Sequence, residues 1–186
     1  RQAEQLKMAG IENVPTPEKA LQSAAFAAAD DEFLAGLGLA TPFALLAPGG
    51  AAHRPEKRWP VENFAGLATR LLGTGLRPVL LGTAAEADTV AEILHGCPDA
   101  VDLTGRTGLI DLVRLARAAG LAVGNDTGPM HLIASARCPS VVLFSKASDP
   151  ALCGPRGDKV MILRQNTLAD ISVDQVVSAL KTLAEP

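Results

Sequence analysis

From Pro42 onward, runs of consecutive apolar residues alternate with stretches whose apolar positions recur every three or four residues. The runs are Phe43 to Ala47, Pro78 to Leu81, Val101 to Leu103, Leu121 to Val123, Ser140 to Phe144 and Val160 to Leu163. A strand apolar on successive positions is buried on both faces, as in a parallel sheet. Between the runs, the spacing predicts helices over Val61 to Leu72, Ala84 to Leu94, Leu109 to Ala119, Pro129 to Ala136 and Val173 to Leu183. Strand and helix in alternation, joined by right-handed crossovers, predict an α/β fold with a doubly wound parallel sheet. Ligands of such sheets bind outside the carboxyl ends of the strands. The loops after Ala47, Leu81, Leu103, Val123 and Phe144 are therefore where chemistry is expected.

Residues 1–35 lack this alternation. They are Ala-rich and interrupted by Pro15 and Pro17, and they predict a short helix near 2–9 and a helical turn near 30–36. The chain opens at Arg1 inside an amphipathic segment, so a fragment with a missing N-terminal part is expected. The domain division expected is a connector over 1–41 and a ligand-binding domain over 42–186.

Composition narrows the function. Apolar residues make up 48% and charged residues 20% of the chain, which suits a packed core. A net charge of -3 and 3% aromatics argue against nucleic acid as a partner. No apolar stretch reaches the roughly 18–20 residues of a membrane-spanning helix, and there is no signal-peptide pattern. At most peripheral membrane contact is expected. Cys97, Cys138 and Cys153 form no Cys-x-x-Cys pair and read as free thiols in a reducing cytoplasm. The histidines do not cluster with them, so no metal site is expected.

Each loop has a functional reading and a structural one. After the first strand, Gly49 and Gly50 permit close backbone approach, and Lys57-Arg58 precede a helix start marked by Pro60. Cations beside a helix N-terminus make a diphosphate site; the alternative is a solvated basic loop. Walker A and Gly-x-Gly-x-x-Gly patterns are absent. After the second strand, Glu86 either complements a helix dipole or accepts hydrogen bonds from ribose hydroxyls. After the third, Thr104-Gly105-Arg106-Thr107-Gly108 is either a plain turn or a lining for a flat base. The run Gly124-Asn125-Asp126-Thr127-Gly128-Pro129-Met130-His131 ends the fourth strand and opens a helix. Thr127 or Gly128 can cap that helix and leave amides free for a phosphate. Asp126 can accept from sugar hydroxyls, and His131 can donate to a phosphate or sugar oxygen. A cap and a packed histidine are the structural alternatives. After the fifth strand, Ser145 and Asp149 either close the rim of the site or are structural, and the structural role is the one expected.

Asp126-Thr127-Gly128-Pro129-Met130-His131 resembles the Asp-Ser/Thr-Gly-x-x-His signature of family 9 glycosyltransferases, which include the heptosyltransferases of lipopolysaccharide core synthesis. Lys57-Arg58-Trp59-Pro60 resembles that family's Lys-x-Trp-Pro element. The likeness spans about residues 42–165. It implies the GT-B architecture: two Rossmann-like domains, with this chain as the C-terminal, nucleotide-sugar-binding half. It implies that Lys57 contacts the diphosphate, Glu86 the ribose and the Thr107 region the adenine. Asp126 would hold the sugar, with Thr127, Gly128 and His131 around the phosphates and sugar. Ala51, Ala52 and His53 stand where some members carry hydroxyl residues that help bind phosphate.

The function implied is transfer of a sugar, heptose from ADP-heptose, with inversion, to a lipid-linked or lipopolysaccharide-core acceptor. The acceptor and the general base would belong to the missing domain. The fragment alone is then expected to bind a nucleotide without turnover. No cofactor is required, although a diphosphate can bring Mg²⁺ from solution. The location implied is cytoplasmic, with a peripheral place at the inner membrane open. The rival readings are a nucleotide-sugar epimerase of GT-B architecture and a non-catalytic nucleotide-binding module.

Overall fold

The computed structural model describes residues 8, 31–39, 42–50 and 54–184. The helix expected near 2–9 falls almost wholly outside them, as do Ala51, Ala52 and His53. The strands are β1 (Phe43–Ala47), β2 (Arg77–Leu80), β3 (Val101–Asp102), β4 (Leu121–Asn125), β5 (Ser140–Phe144) and β6 (Val160–Arg164). The α-helices are α1 (Asp31–Gly36), α2 (Val61–Leu72), α3 (Ala87–Gly96), α4 (Leu109–Ala118), α5 (Gly128–Ser135), α6 (Pro150–Cys153) and α7 (Val173–Ala184).

The strands form a six-stranded sheet in the order β3-β2-β1-β4-β5-β6. Every pairing in it is parallel. The chain therefore runs outward from β1 to β3, returns, and runs outward again from β4. β1 and β4 lie side by side, with Ala44 opposite Leu121 and Ala47 opposite Gly124. Their following loops diverge, which makes the crevice between them the topological switch point.

The doubly buried strands have a direct structural counterpart. Along β1, Ala44 and Leu46 join one core, and Phe43, Leu45 and Ala47 join the other. The first core is completed by Phe64, Leu67, Val90, Ile93, Val176 and Leu180, from α2, α3 and α7. The second takes Leu34 from α1, Leu112 and Leu115 from α4, and Met130 and Ile133 from α5. Helices thus cover both faces of the sheet, as the apolar runs require. Leu34 and Leu39 are buried in this core, so residues 31–39 pack with the sheet.

Several elements differ from the expectation in instructive ways. The helix expected over Ala84 to Leu94 is a 3-10 turn over Ala84–Glu86 followed by α3, because a capping box between Thr83 and Glu86 tightens its start. β4 continues past Val123 to Asn125, since Gly124 and Asn125 still pair with Val142 and Leu143. Polar Asn125 ends the strand fully buried, which an apolar-run criterion misses. α6 is a further short helix, capped by Asp149 accepting from the Ala151 N–H at 3.1 Å.

Gly124 sets how closely α5 lies on the sheet. A Cβ there would come within 2.7 Å of Met130 Sδ and 2.8 Å of the Ala47 Cβ. The missing side chain is what allows Met130 to sit fully buried over β4.

Candidate functional site

At the switch point a polar network ties the β1 loop to the β4 loop. Its hub is Asn125, which is fully buried. Its Nδ2 donates to the carbonyls of Pro48 at 2.8 Å and Gly49 at 3.0 Å. Its Oδ1 accepts from the Trp59 N–H at 3.0 Å. One side-chain amide thus fixes both ends of the loop between β1 and α2. Trp59 is 2% exposed, donates from Nε1 to Ile171 O at 2.8 Å, and meets Phe64 edge-to-face at 4.9 Å. The Trp side chain is therefore an anchor inside the core. It holds Lys57 and Arg58, which precede it, above the crevice.

The two cations face different partners. Lys57 lies on the 3-10 turn Pro55–Lys57, and its Nζ donates to Asp126 Oδ2 at 2.7 Å. The side chains of this pair are only 17% and 9% exposed, so the pair is poorly screened by water. Ser148 Oγ donates to the same Oδ2 at 2.8 Å. Arg58 instead turns back and donates from Nη2 to Gly50 O at 2.8 Å, bracing its own loop. Arg54 crosses to the β5 loop, donating to Ala147 O at 3.2 Å, and pairs with Glu56 at 3.0 Å. The Glu56 carboxyl is held below its usual range, first by a backbone hydrogen bond and then by the one from Arg54.

Thr127 occupies the N-cap position of α5, but its hydroxyl does not cap; it donates to Asn125 O at 3.2 Å. Among the described residues, the helix start therefore has no side-chain acceptor for its leading amide. Gly128 is exposed, and a Cβ there would meet nothing within 4 Å, so that side of the helix start is open. His131 is half-buried in the first turn, and its side chain makes no hydrogen bond or ion pair among the described residues. An uncapped N-terminus, a lysine and an unengaged histidine are a set that can hold an anion.

Glu86 sits one strand further out. Its Oε2 accepts from the Thr83 N–H at 2.8 Å and the Thr83 hydroxyl at 2.6 Å, so the capping role is present. Its Oε1 takes no bond from a described residue and lies 3.4 Å from where a Gly49 Cβ would be. Gly49 and Gly82 leave room for the carboxylate between two loops. Thr107, half-buried, follows β3 at the sheet's edge in a turn whose Gly105 has φ +69. Thr104 Oγ1 in the same loop is buried without a partner. β3 lies two strands, about 10 Å, from β1, and Thr107 is on the loop that follows it. The structure therefore brings Lys57 and Asp126 into contact, with Thr127, Gly128 and His131 next along the chain at the start of α5, sets Glu86 against Gly49 of the β1 loop, and leaves Thr107 on the loop after edge strand β3.

Sequence reasoning passed over two residues. Asn125 was only part of a motif, although a buried amide at a strand's carboxyl end is a signal that could have marked it. Ser148 carries no signal of its own in the sequence; Ser145 and Asp149 are the polar residues of this loop that the sequence singles out. Ser145 Oγ accepts from the Ala147 N–H at 3.3 Å, which is a turn-forming role. Among the described residues, no group of three or more His, Cys, Asp or Glu side chains could hold a metal ion. No described helix is long and apolar enough to cross a membrane.

The chain matches the family model described as glycosyltransferase family 9 (heptosyltransferase) over residues 2–182. Lipooligosaccharide heptosyltransferase 2 of Haemophilus influenzae is 34% identical over 120 residues, covering 62% of this chain and 34% of that protein. Lipopolysaccharide heptosyltransferase 2 of Escherichia coli gives the same figures, 34% over 120 residues, 62% and 34%. The solved E. coli ADP-heptose lipopolysaccharide heptosyltransferase II superposes with a TM-score of 0.74 at 28% identity, over 92% of this chain and 52% of that one. A family 9 glycosyltransferase structure from Veillonella parvula has a TM-score of 0.74 at 27% identity, over 93% and 53%. The chain thus spans 34% of the length of the first curated relatives and 52% of the first solved structure. With the family model matched over residues 2–182 and the sheet shared with these solved structures, the chain belongs to glycosyltransferase family 9.

Proposed function

We propose that this chain is the nucleotide-sugar-binding half of an inverting GT-B glycosyltransferase, acting on ADP-heptose and a lipopolysaccharide-core acceptor. The observation that carries the reading is the Lys57–Asp126 pair at the switch point, 2.7 Å long and largely shielded from water. Along the carboxyl edge, the loops run from Thr107 through Glu86 to Lys57 and Asp126. That order matches base, ribose, diphosphate and sugar in an extended nucleotide sugar. The printed name of the E. coli structural relative, an ADP-heptose lipopolysaccharide heptosyltransferase, supports this choice of donor.

In this reading Lys57 and the open N-terminus of α5 stabilise the charge that develops on the departing diphosphate. Glu86 Oε1 accepts from the ribose, Asp126 Oδ1 from a sugar hydroxyl, and His131 donates to a phosphate or sugar oxygen. The acceptor hydroxyl needs a base. Asp126 is a poor candidate, because its Oδ2 is already engaged by Lys57 and Ser148. The base and the acceptor site are assigned to a further N-terminal domain, with residues 1–41 as a connector whose stretch 31–39 packs on the donor domain, 42–186. No cofactor is invoked; Mg²⁺ would arrive with the diphosphate. The protein would work in the cytoplasm, with a peripheral place at the inner membrane where lipid-linked acceptors lie.

Calorimetry with ADP, UDP and GDP tests the reading. Wild type should bind ADP best, and Lys57→Ala should weaken it roughly ten- to a hundredfold, the loss of hydrogen bonds to a charged group. Absence of nucleotide binding at millimolar concentration would refute the site. Preference for UDP would leave the family intact and remove ADP-heptose as donor. Transfer by the isolated 186 residues would overturn the assignment of the base to another domain.

A further inference from the structure

Asp126 is held from two directions by donors of unlike mobility. Lys57 Nζ reaches Oδ2 from the β1 loop, and Ser148 Oγ reaches the same oxygen from the β5 loop. Lysine is a point charge on a flexible stem, free to redirect its donors. Ser148 is 8% exposed and sits on a braced turn. Its own N–H donates to Ser145 O at 3.3 Å, and the Lys146 N–H donates to Asn166 O at 3.3 Å. From the other side, Arg54 holds Ala147 O at 3.2 Å. The β1 loop and the strand β6 side therefore both fix the turn that carries this hydroxyl.

If Lys57 takes the diphosphate, it must release Asp126 wholly or in part. A carboxylate only 9% exposed is costly to leave without a donor. We infer that Ser148 is a positioning residue: its hydroxyl keeps Asp126 Oδ2 occupied while Lys57 passes from the carboxylate to the donor's diphosphate. Asp126 then keeps its orientation and presents Oδ1 to the sugar. The exchange involves hydrogen bonds only; no covalent bond changes. This inference rests on the proposed role of Lys57 and names a residue that makes it workable.

The test is ADP binding by calorimetry for wild type, Ser148→Ala, Ser148→Thr, Lys57→Ala and the Ser148→Ala/Lys57→Ala double variant. Ser148→Ala should weaken ADP binding about tenfold, as loss of one charge-assisted hydrogen bond does. Ser148→Thr, which keeps the hydroxyl, should stay within about twofold of wild type. In the Lys57→Ala background, Ser148→Ala should change affinity less than about twofold, because no exchange is left to support. A purely structural serine would give the same loss in both backgrounds, and that result overturns the inference. So does wild-type affinity in Ser148→Ala. Should Ser148→Ala not fold, Ser148→Cys, a weaker donor of similar size, replaces it with the same pattern expected in smaller measure. Wild type that fails to bind ADP removes the reading of the site and this inference together. Wild type that binds, with Lys57→Ala weakened and Ser148→Ala unchanged, removes this inference alone.

Discussion

The two halves of the sheet's carboxyl edge are built differently. Around β1, β4 and β5, the polar side chains bond across long stretches of chain: Lys57 to Asp126 over 69 residues, Asn125 to Pro48 over 77, Trp59 to Ile171 over 112. Around β2 and β3 they bond to their own turns. Glu86 holds Thr83 three residues away, Asp102 holds the Thr104 N–H two away, and Asp111 holds the Gly108 N–H three away. Long-range bonds fix one loop relative to another, whereas local bonds only shape a turn. The loops of the first half are thus held relative to one another before any ligand arrives, while Lys57 itself is free to change partner within that frame. The second half shapes its turns, and Glu86 Oε1 takes no bond from a described residue. In the proposed function the first half carries the diphosphate and sugar and the second the ribose and base.

Removing the hub of the built half is expected to have the largest effect. Asn125→Ala leaves the Trp59 N–H and the Pro48 carbonyl without partners in a buried place. Such orphaned groups cost about 1–3 kcal/mol each, so a loss of about 3 kcal/mol should appear in urea unfolding. Glu86→Ala, on the other half, removes only a local cap and should cost about 1 kcal/mol or less. Its functional effect should be selective: about tenfold weaker ADP binding with pyrophosphate binding unchanged, since pyrophosphate has no ribose. Equal stability losses in the two variants would dissolve the distinction between the halves.

The sequence was more legible for elements than for this distinction. Consecutive apolar residues disclosed β1 and β5 to the residue, because burial on both faces leaves a continuous mark. α2 was equally clear, with its apolar stripe bounded by Pro60 and Gly73. The end of β4 was hidden, since a buried asparagine satisfied from 77 residues away looks like a turn residue in isolation. The candidate site was legible as loops: strand ends point to where ligands go. Its connections were not. Spacing could set Lys57 and Asp126 on two separate loops, but their contact depends on β1 and β4 being neighbours, which is a matter of strand order. Arg58 looked equivalent to Lys57 in the motif, yet it turns to Gly50 O. Thr127 looked like a cap, yet its hydroxyl points back to Asn125 O. Side-chain direction at neighbouring positions carries no periodic signal that a single sequence exposes.

The smallest expected effect reads the electrostatics of the built half directly. Cys97 and Cys138 are buried, and burial pushes the Cys138 thiol up to about 12. Cys153, at the end of α6, is exposed. Its thiol titrates above its usual range, raised first by partial burial and next by the Asp126 carboxylate, while the Lys57 ammonium pulls the other way. A raised value means less thiolate at a given pH and slower alkylation, since the thiolate is the nucleophile. In the native chain, iodoacetamide at pH 8 should therefore modify Cys153 alone, and more slowly than free cysteine. Lys57→Ala removes the charge that favours the thiolate and leaves Asp126 uncompensated, so alkylation should slow further. Asp126→Asn should reverse the sign and speed it. The expected changes are a few-fold at most, because charges acting across partly wet space are screened. Glu86→Ala, on the locally bonded half, should leave the rate as it is. If Glu86→Ala moved the rate as much as Lys57→Ala, the two halves would share one electrostatic environment, and the separation argued from their hydrogen bonds would not extend to their fields.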